Sequence, residues 1–375
     1  MNSVKNVVPL TSQVGGHAGV MATEDGSLII KPCLPRERDF YQLIASDDPR
    51  VRHLQPHVPN FYGTLKLEGK VDEQGNFLNT LEMTDSSLPS PNAGDTSPPE
   101  DQRDKSLVLE NVSNSFLKPN VLDIKLGTKL YEDSASPEKI ERMIRTARQT
   151  TSLETGVRMT GFQVYDYSTS SPAITPKSYG KSIKPADLPE AVARFFPISP
   201  LSYSVDNGSS SRESRGQGLP AQLLTPILSG ILENVRNIRD AIAQTEMRMI
   251  AGSILIVYEA DWEKAHEGLQ ALEDSKTTSI QTIDSKVSEG DEDVDLGPEA
   301  MDESGTDDED GDEDEEDEEE EELILPFAVR LIDFAHVTLV PGEGADESVL
   351  RGLDTSISLL EGRLKEVEND LRPKA

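Results

Sequence analysis

The segment Pro119-Asn120-Val121-Leu122-Asp123-Ile124-Lys125-Leu126-Gly127 decides how this sequence is interpreted. Its apolar residues predict a buried strand centred on Val121 to Lys125. Alternate side chains of a strand share a face, so Asp123 and Lys125 should point the same way. A carboxylate beside an ammonium can accept a hydroxyl proton while the ammonium steadies a transferring phosphoryl group. An exposed ion pair on an edge strand has the same spacing, so the spacing alone leaves both interpretations open.

A glycine-containing loop precedes the predicted strand that ends at Lys31. The loop runs from Gln13 to Gly19 (QVGGHAG), and a helix is predicted over Pro35–Ile44. Glycines let backbone amides approach phosphate closely, and a lysine on the next strand adds a point charge. An ion pair between Lys31 and Glu37 would match the Lys–Glu pair of protein kinases. Taken alone, the segment fits a turn followed by a surface lysine better.

A basic stripe is predicted on a helix that begins at Ser136-Pro137-Glu138 and ends near Arg148. Serine is a good N-cap, proline suits the first helical position, and an acidic side chain is favourable there. Basic residues recur at every third position: Lys139, Arg142, Arg145 and Arg148. Such a stripe would suit a ligand with several phosphates, and a solvated helix face is an equal alternative.

A second carboxylate ends another predicted apolar strand, Phe327 to Phe334. In the block Leu331 to His336 (LIDFAH), Asp333 lies where kinases place a Mg²⁺ ligand. His336 either contacts a substrate or caps the turn, and a lone histidine is more often structural. The strand Ile254 to Tyr258 is predicted to pair with this one.

Charge is concentrated in one part of the chain. The 375 residues carry a formal net charge of −33, and 24 acidic residues with one lysine lie between Asp284 and Glu322. The remaining sequence has ordinary acidity and enough apolar residues for a core. The single cysteine, Cys33, excludes an intramolecular disulfide and a multi-cysteine metal site. No apolar run approaches the roughly 20 residues of a membrane-spanning helix, and the acidity argues weakly against nucleic-acid binding.

Composition also predicts the organisation of the chain. Residues 69–104 should be a flexible insertion, and the polar and acidic tract 273–322 should be disordered. Residues 168–188 and 204–219 read as loops, whereas 223–242 and 352–371 have helical periodicity.

Four motifs in this order resemble the inositol phosphate kinase family, with the fungal multikinases as the most similar branch. They are the Gly-Gly-His loop, Pro-x-x-x-Asp-x-Lys-x-Gly at 119–127, Gly252-Ser253-Ile254-Leu255, and Ile-Asp-Phe-Ala-His at 332–336. The resemblance spans about Gln13 to Leu360. This chain departs from the family pattern at Gly252, Ile254 and Gln163, where other members commonly have Ser, Leu and, in some multikinases, a basic residue.

The resemblance implies an α/β (α+β) fold, with a two-lobed core like that of protein kinases and ATP-grasp enzymes. It further implies a small helical inositol-binding segment and a disordered acidic insertion. The expected parts are an N-terminal lobe 1–118 containing the 69–104 insertion, a C-terminal lobe 119–272 continued at 323–375, an inositol-binding helix 136–150, and the insertion 273–322.

The resemblance also implies a role for each site residue. The implied catalytic residues are Asp123, as base or hydroxyl-orienting group, and Lys125, which would bridge substrate and γ-phosphate. The implied ATP contacts are Lys31 and Ser253 at the phosphates, the Glu110 and Val112 backbone at the adenine, and Asp333 through Mg²⁺. The implied substrate contacts are Lys125, Lys139, Arg142 and His336.

The implied activity is ATP-dependent phosphorylation of ring hydroxyls of inositol tris- and tetrakisphosphate by a multikinase. The segment Thr150 to Arg158 also resembles the inositol hexakisphosphate kinases, which form pyrophosphates. The acidic residues 284–322 either bind basic nuclear proteins or only solubilise the chain. A monomer in the nucleus and cytoplasm is expected.

Overall fold

The computed structural model describes residues 7–10, 19–71, 77–84, 105–203, 216–288 and 325–372. The strands in these ranges are β1 Val7–Pro9, β2 Met21–Thr23, β3 Leu28–Pro32, β4 Phe61–Val71, β5 Phe77–Thr84, β6 Lys105–Glu110, β7 Pro119–Leu126, β8 Val157–Asp166, β9 Ser171–Thr175, β10 Met247–Met249, β11 Ser253–Glu259, β12 Phe327–Ile332 and β13 Val337–Leu339. The helices are α1 Pro35–Ala45, α2 Pro137–Gln149, α3 Ser152–Thr155, α4 Lys177–Ser182, α5 Leu188–Phe195, α6 Ala221–Ala243, α7 Trp262–Ser288 and α8 Glu347–Asp370.

The N-terminal part of the chain forms an antiparallel sheet with the strand order β1-β2-β3-β6-β4-β5. Strand β3 pairs with β6 from Leu28 opposite Glu110 to Pro32 opposite Ser106. Ile30 lies in the apolar core of this sheet with Leu65 and Val108. Because neighbouring side chains of a strand alternate between faces, Lys31 is presented on the face opposite to Ile30.

A second antiparallel sheet, with the order β12-β11-β7-β8-β9, carries the central motif. Strand β11 lies between β12 and β7, so Ser253 is opposite Ile332 on one side and Lys125 on the other. Leu255 is opposite Asp123 in the same register. Pairing therefore brings the ends of three strands, which are distant in sequence, side by side. The predicted pairing of β11 with β12 is confirmed.

Two long helices support the second sheet. The apolar residues at three- and four-residue spacing in α6 are buried, as the sequence predicts, and include Leu224, Ile231, Val235 and Ile238. Helix α8 packs closely against the turn before β8, because Gly156 and Gly352 meet there without side chains. Gly156 has a φ of 73°, which also favours glycine.

The predicted helix after Ser136 is confirmed. The Ser136 side chain accepts a hydrogen bond from the backbone N–H of Lys139, and Pro137 is the first residue of α2. The helix ends at Gln149, and Lys139, Arg142, Arg145 and Arg148 are all exposed on it.

The prediction of a loop over 168–188 is wrong. This stretch contains β9, α4 and the beginning of α5. Strand β9 is at the edge of its sheet, where Pro172 is tolerated, and the six-residue helix α4 has no room for a side chain at Gly180 because the Met159 carbonyl lies there. The proline in this stretch is therefore explained by the edge strand β9, and the glycine by the close packing of α4 against Met159.

Two predicted insertions begin or end in regular structure. Strand β4 continues to Val71 and pairs antiparallel with β5, so part of 69–104 is in a sheet. Helix α7 continues to Ser288, so the first part of the predicted disordered tract 273–322 is helical. The predictions for 85–104, 204–215, 289–324 and the loop residues 13–18 lie outside the described residues.

The chain divides into two units, Met1–His266 with Pro326–Ala375, and Glu267–Leu325. Both large sheets belong to the first unit, and the second includes the later turns of α7. In the described part of the chain, no helix combines the length and the apolar character needed to cross a membrane.

Candidate active site

Asp333 is the centre of a group of charged side chains where the two large sheets meet. The Lys31 ammonium on β3 lies 2.7 Å from Asp333 Oδ1, and the Lys125 ammonium on β7 lies 3.4 Å from Asp333 Oδ2. Lys31 also binds Glu37 of α1 at 2.8 Å, as the sequence predicts. One carboxylate is thus shared by lysines of different sheets.

The backbone around Asp333 aims its side chain into this group. Asp333 has a φ of 68°, which is rare for a residue with a side chain and ends β12 before Phe334. Phe334 is fully buried, and its ring centroid lies 4.9 Å from that of Phe40 and 5.3 Å from that of Tyr41 on α1. Aromatic packing therefore holds α1, which carries Glu37, against the segment that carries Asp333.

Lys125 is oriented by the turn that precedes β11. Its ammonium donates to the Ala251 carbonyl at 3.0 Å and approaches the Ser253 hydroxyl at 3.4 Å. Ala251 has a φ of 62°, a left-handed conformation that is costly for a residue with a Cβ atom. The strained turn directs the Ala251 carbonyl oxygen at Lys125. Together with the Ser253 hydroxyl and the Asp333 carboxylate, this oxygen fixes the position of the ammonium.

Asp123 is buried beside this group, with 3% of its surface exposed. The Thr160 hydroxyl lies 3.4 Å from Asp123 Oδ1, and Thr160 is the extra residue of a bulge between β7 and β8. Burial raises the pKa of Asp123, Lys125 opposes the shift, and the Asp333 charge adds to it. A carboxylate with a raised pKa is a better proton acceptor than an ordinary surface aspartate.

The neighbouring cations respond to the same environment. Burial works against the charge of Lys31, but Asp333 and Glu37 outweigh it, so the pKa of Lys31 is raised. Arg158 on β8 lies opposite Lys125. Burial lowers the pKa of Arg158, and the Asp123 charge partly opposes this shift. The site is therefore a dense, largely dehydrated set of opposite charges.

The predicted hinge residues lie at the end of β6. The Glu110 carboxylate accepts from the Asn60 backbone N–H at 3.1 Å, and Val112 is buried. Between them, the Asn111 side chain donates to the Gly26 carbonyl at 2.7 Å, which fastens the connection to the turn before β3. The structure provides an ordered segment here but brings neither Glu110 nor Val112 into contact with Asp333.

The predicted substrate residues fall into two places. His336 lies three positions after Asp333 in sequence, and its Nδ1 is 3.1 Å from Glu132 Oε2. Lys139 and Arg142 are exposed on α2, and neither makes an ion pair with any described residue. The structure does not bring these two side chains into contact with the Asp333 group.

Sequence analysis missed Ala251, Thr160, Arg158 and Glu132 as neighbours of the site. A turn conformation and a bulge have no simple sequence signal, but the register of β7 and β8 would have placed Arg158 opposite Lys125. Gln163, one of the departures from the family pattern, is buried and donates to the Pro119 carbonyl at 2.9 Å. It is therefore a structural residue.

Comparisons with known proteins agree with this arrangement. The family model described as inositol polyphosphate kinase matches residues 106–361. The inositol polyphosphate multikinase of Saccharomyces cerevisiae is 28% identical over 392 residues, which cover 96% of this chain and 99% of the relative. Mouse inositol hexakisphosphate kinase 3 is 32% identical over 170 residues, 45% of this chain and 38% of that protein.

A solved structure has the same fold. The crystal structure of the inositol phosphate multikinase of S. cerevisiae, in complex with ADP and Mn²⁺, matches with a TM-score of 0.54 and 24% identity, covering 90% of this chain and 100% of that one. This similarity confirms the kinase-like mixed α/β fold that the sequence motifs predict. Since the family model covers more than half of the sequence, including β7, β11 and Asp333, the chain belongs to the inositol polyphosphate kinase family.

Proposed function

We propose that this protein is an ATP-dependent inositol polyphosphate multikinase, which phosphorylates ring hydroxyls of inositol tris- and tetrakisphosphate. The observation that carries this proposal is the convergence of Lys31, Lys125 and buried Asp123 around the Asp333 carboxylate. Positioning and charge neutralisation supply most of the catalysis in phosphoryl transfer, and these residues provide both.

The nucleotide would bind through Lys31 and the segment Glu110 to Val112. Lys31 is already charged and oriented by Glu37, so it can neutralise phosphate oxygens without a large rearrangement. The backbone of Glu110 and Val112 would meet the adenine, and Ser253, next to Lys125, would lie close to the phosphates. The ADP held by the yeast multikinase structure supports a nucleotide at this fold.

The donor set fits a divalent metal held mainly by Asp333. Mg²⁺ usually binds through one or two carboxylates together with substrate phosphates, rather than in an all-protein cage. When bound, Mg²⁺ would neutralise charge on the nucleotide phosphates, and the Mn²⁺ of the yeast structure supports such a site.

The acceptor hydroxyl would be held by Asp123, whose raised pKa suits it to accept the proton. Lys125, fixed by the Ala251 carbonyl, would neutralise the phosphoryl group as it passes to the hydroxyl. The exposed cations Lys139 and Arg142 would bind substrate phosphates, and His336 would contact the substrate nearby. Because these two cations lie on an open helix face, phosphates at several ring positions can reach them, which favours a multikinase.

An inositol hexakisphosphate kinase is the second candidate. It is favoured by the 32% identity to mouse inositol hexakisphosphate kinase 3, although that match covers 45% of the chain. The match to the yeast multikinase extends over 96% of the chain and supports the first candidate. Docking of basic nuclear proteins on residues 284–322, and residence in nucleus and cytoplasm, stay sequence-based proposals.

The deciding experiment incubates the full chain with ATP, Mg²⁺ and either inositol trisphosphate, tetrakisphosphate or hexakisphosphate, and resolves product isomers by chromatography. We expect successive products from the first two substrates and no turnover with Lys125→Ala. A single product from inositol trisphosphate would contradict a multikinase. Pyrophosphate products from the hexakisphosphate would favour the second candidate.

A further inference from the structure

Two series of hydrogen-bonded polar side chains, called the inner chain and the outer chain, join α1 to the segment Asp333 to His336. The inner chain runs from Glu37 through Lys31 to Asp333, and its side chains are at most 12% exposed. The outer chain runs from Arg36, the neighbour of Glu37, through Glu132 to His336. Arg36 lies 2.5 Å from Glu132 Oε1, and His336 Nδ1 lies 3.1 Å from Glu132 Oε2. The two chains thus start at adjacent residues and end three residues apart.

Glu132 is the only member of the outer chain that lies outside the two segments it connects. It belongs to the connection between β7 and α2, which is anchored at its start. There, the Gly127 N–H donates to the Gly156 carbonyl at 2.8 Å, and the Thr128 N–H donates to the Ser348 hydroxyl at 2.7 Å. The Glu132 side chain is 25% exposed, and its two carboxylate oxygens have different partners. A carboxylate held at both oxygens has little freedom to rotate.

The contact with Glu132 determines which ring nitrogen of His336 is available. A carboxylate can only accept, so Nδ1 must carry the proton in this hydrogen bond. Nε2 is then the atom left for another partner. The backbone of His336 is fixed as well, because its carbonyl accepts from the Ile250 N–H at 3.0 Å. Ring orientation and tautomer are therefore both set by Glu132.

We propose that Glu132 is a positioning residue, which orients His336 so that the unprotonated Nε2 accepts a hydrogen bond from a hydroxyl of the inositol phosphate, while Arg36 keeps Glu132 in place. This inference rests on the proposed function, in which His336 binds substrate. It assigns a role in substrate recognition to the pair Arg36–Glu132, whose own exposed ion pair would contribute little to folding stability. Neither residue needs to touch the substrate for this role.

The test compares Glu132→Ala, His336→Ala and the double variant in the full-length protein. We expect Glu132→Ala to raise the KM for inositol tetrakisphosphate about tenfold, because a small displacement of a binding group is costly. The KM for ATP should change by less than about twofold, since the inner chain remains. The double variant should be no worse than His336→Ala alone, because Glu132 acts through His336.

Conservative variants and a matched control separate this role from a general structural one. Glu132→Gln keeps an acceptor for Nδ1–H and should recover part of the affinity, and Arg36→Gln should show a smaller increase in KM than Glu132→Ala. Glu361→Ala breaks a comparable surface ion pair, Arg236–Glu361 at 2.6 Å, and should leave both KM values unchanged. Additive effects of Glu132→Ala and His336→Ala, or equal effects on both KM values, would overturn the proposal.

A spectroscopic measurement tests the contact independently of activity. Long-range ¹H–¹⁵N spectra of the histidine rings should show the proton on Nδ1 of His336 in the wild type, and a shift toward Nε2 in Glu132→Ala. An unchanged tautomer would refute the positioning role even if the protein proves to act on another substrate. Conversely, a tautomer change in a protein that does not phosphorylate inositol phosphates would refute the proposed function only.

Discussion

Lys31 and Lys125 bind opposite oxygens of the same carboxylate, Asp333, although β3 and β7 belong to different sheets. The relationship links the two halves of the kinase-like core through a single side chain. It also places charges of the kind that stabilise phosphoryl transfer in one compact group, where fixed charges are most effective.

Removal of the Lys31 charge should cost both stability and activity. Lys31→Met removes the cation that lies 2.8 Å from buried Glu37 and 2.7 Å from Asp333. We expect a loss of about 3 kcal/mol in the free energy of unfolding, because an unpaired buried charge is expensive. Denaturant titration measures this loss. Lys31→Arg keeps the charge and should lie between the wild type and Lys31→Met, and equal stability of all three would contradict the interpretation.

Asp123→Asn should abolish turnover without weakening the fold. A general base typically contributes about 10²–10⁴-fold to the rate, so kcat should fall by that order. Thermal unfolding at pH 7 should show an equal or higher Tm, since the variant no longer buries a charge whose pKa is raised by burial. Asp354→Asn, at a surface pair with Arg239, is a suitable control for both measurements. A marked fall in Tm would show that Asp123 is structural.

The stability difference between wild type and Asp123→Asn should depend on pH in one direction. Because the folded pKa of Asp123 is above its ordinary value of 3.8, the folded state holds this proton more tightly than the unfolded chain. The wild type therefore loses stability, relative to the variant, as pH rises from 3.8 through the raised pKa. The Tm of the wild type should fall further below that of Asp123→Asn as pH is raised from 4 to 8. Equal Tm values of the two proteins at high pH would contradict the raised pKa.

Two glycines of α8 should respond oppositely to alanine. A Cβ at Gly352 would meet the Gly156 carbonyl and the Leu126 side chain, whereas one at Gly362 meets nothing within 4 Å. We expect Gly352→Ala to destabilise by about 1–3 kcal/mol through overpacking, and Gly362→Ala to stabilise by about 0.5–1 kcal/mol through helix propensity. Chemical denaturation of both variants checks this. A stabilising Gly352→Ala would show that α8 can move away from β8.

Gln163→Ala should affect folding but not substrate choice. Its amide donates to the Pro119 carbonyl inside the second sheet, so the substitution loses this hydrogen bond and leaves space at a buried position. The expected cost is about 1–3 kcal/mol in the free energy of unfolding. The KM values for inositol phosphates should stay within about twofold of the wild type, since the Gln163 side chain is buried and bonded to the backbone. Gln217→Ala, which removes an exposed hydrogen bond to Asp166, is the control.

The sequence predicted those parts of the molecule that depend on local periodicity or on a compact motif. Alternation identified β7 and the shared face of Asp123 and Lys125, and the serine–proline start identified α2. The pairing of Lys31 with Glu37 also followed from spacing and kinase analogy. These features are encoded within a few neighbouring residues, so they need no knowledge of the tertiary structure.

The remaining features depend on contacts between distant segments. Ala251 orients Lys125 because of a strained turn, and nothing in its side chain indicates this. Thr160 reaches Asp123 because a bulge shifts the register of β8. Helix α4 was missed because Gly180, a poor helix former, is required by the closeness of the Met159 carbonyl. In each case the physical cause is a tertiary approach.

The ladder between β11 and β12 has a practical consequence for protein engineering. These adjacent strands pair from Ser253 with Ile332 to Tyr258 with Phe327, yet the chain makes a long excursion between them. Closing a loop costs only about 0.6 kcal/mol more for each doubling of its length. The excursion is therefore a natural place to splice in a fluorescent reporter or an affinity handle, and lineages could lengthen or trim it freely while the ladder itself stays unaltered.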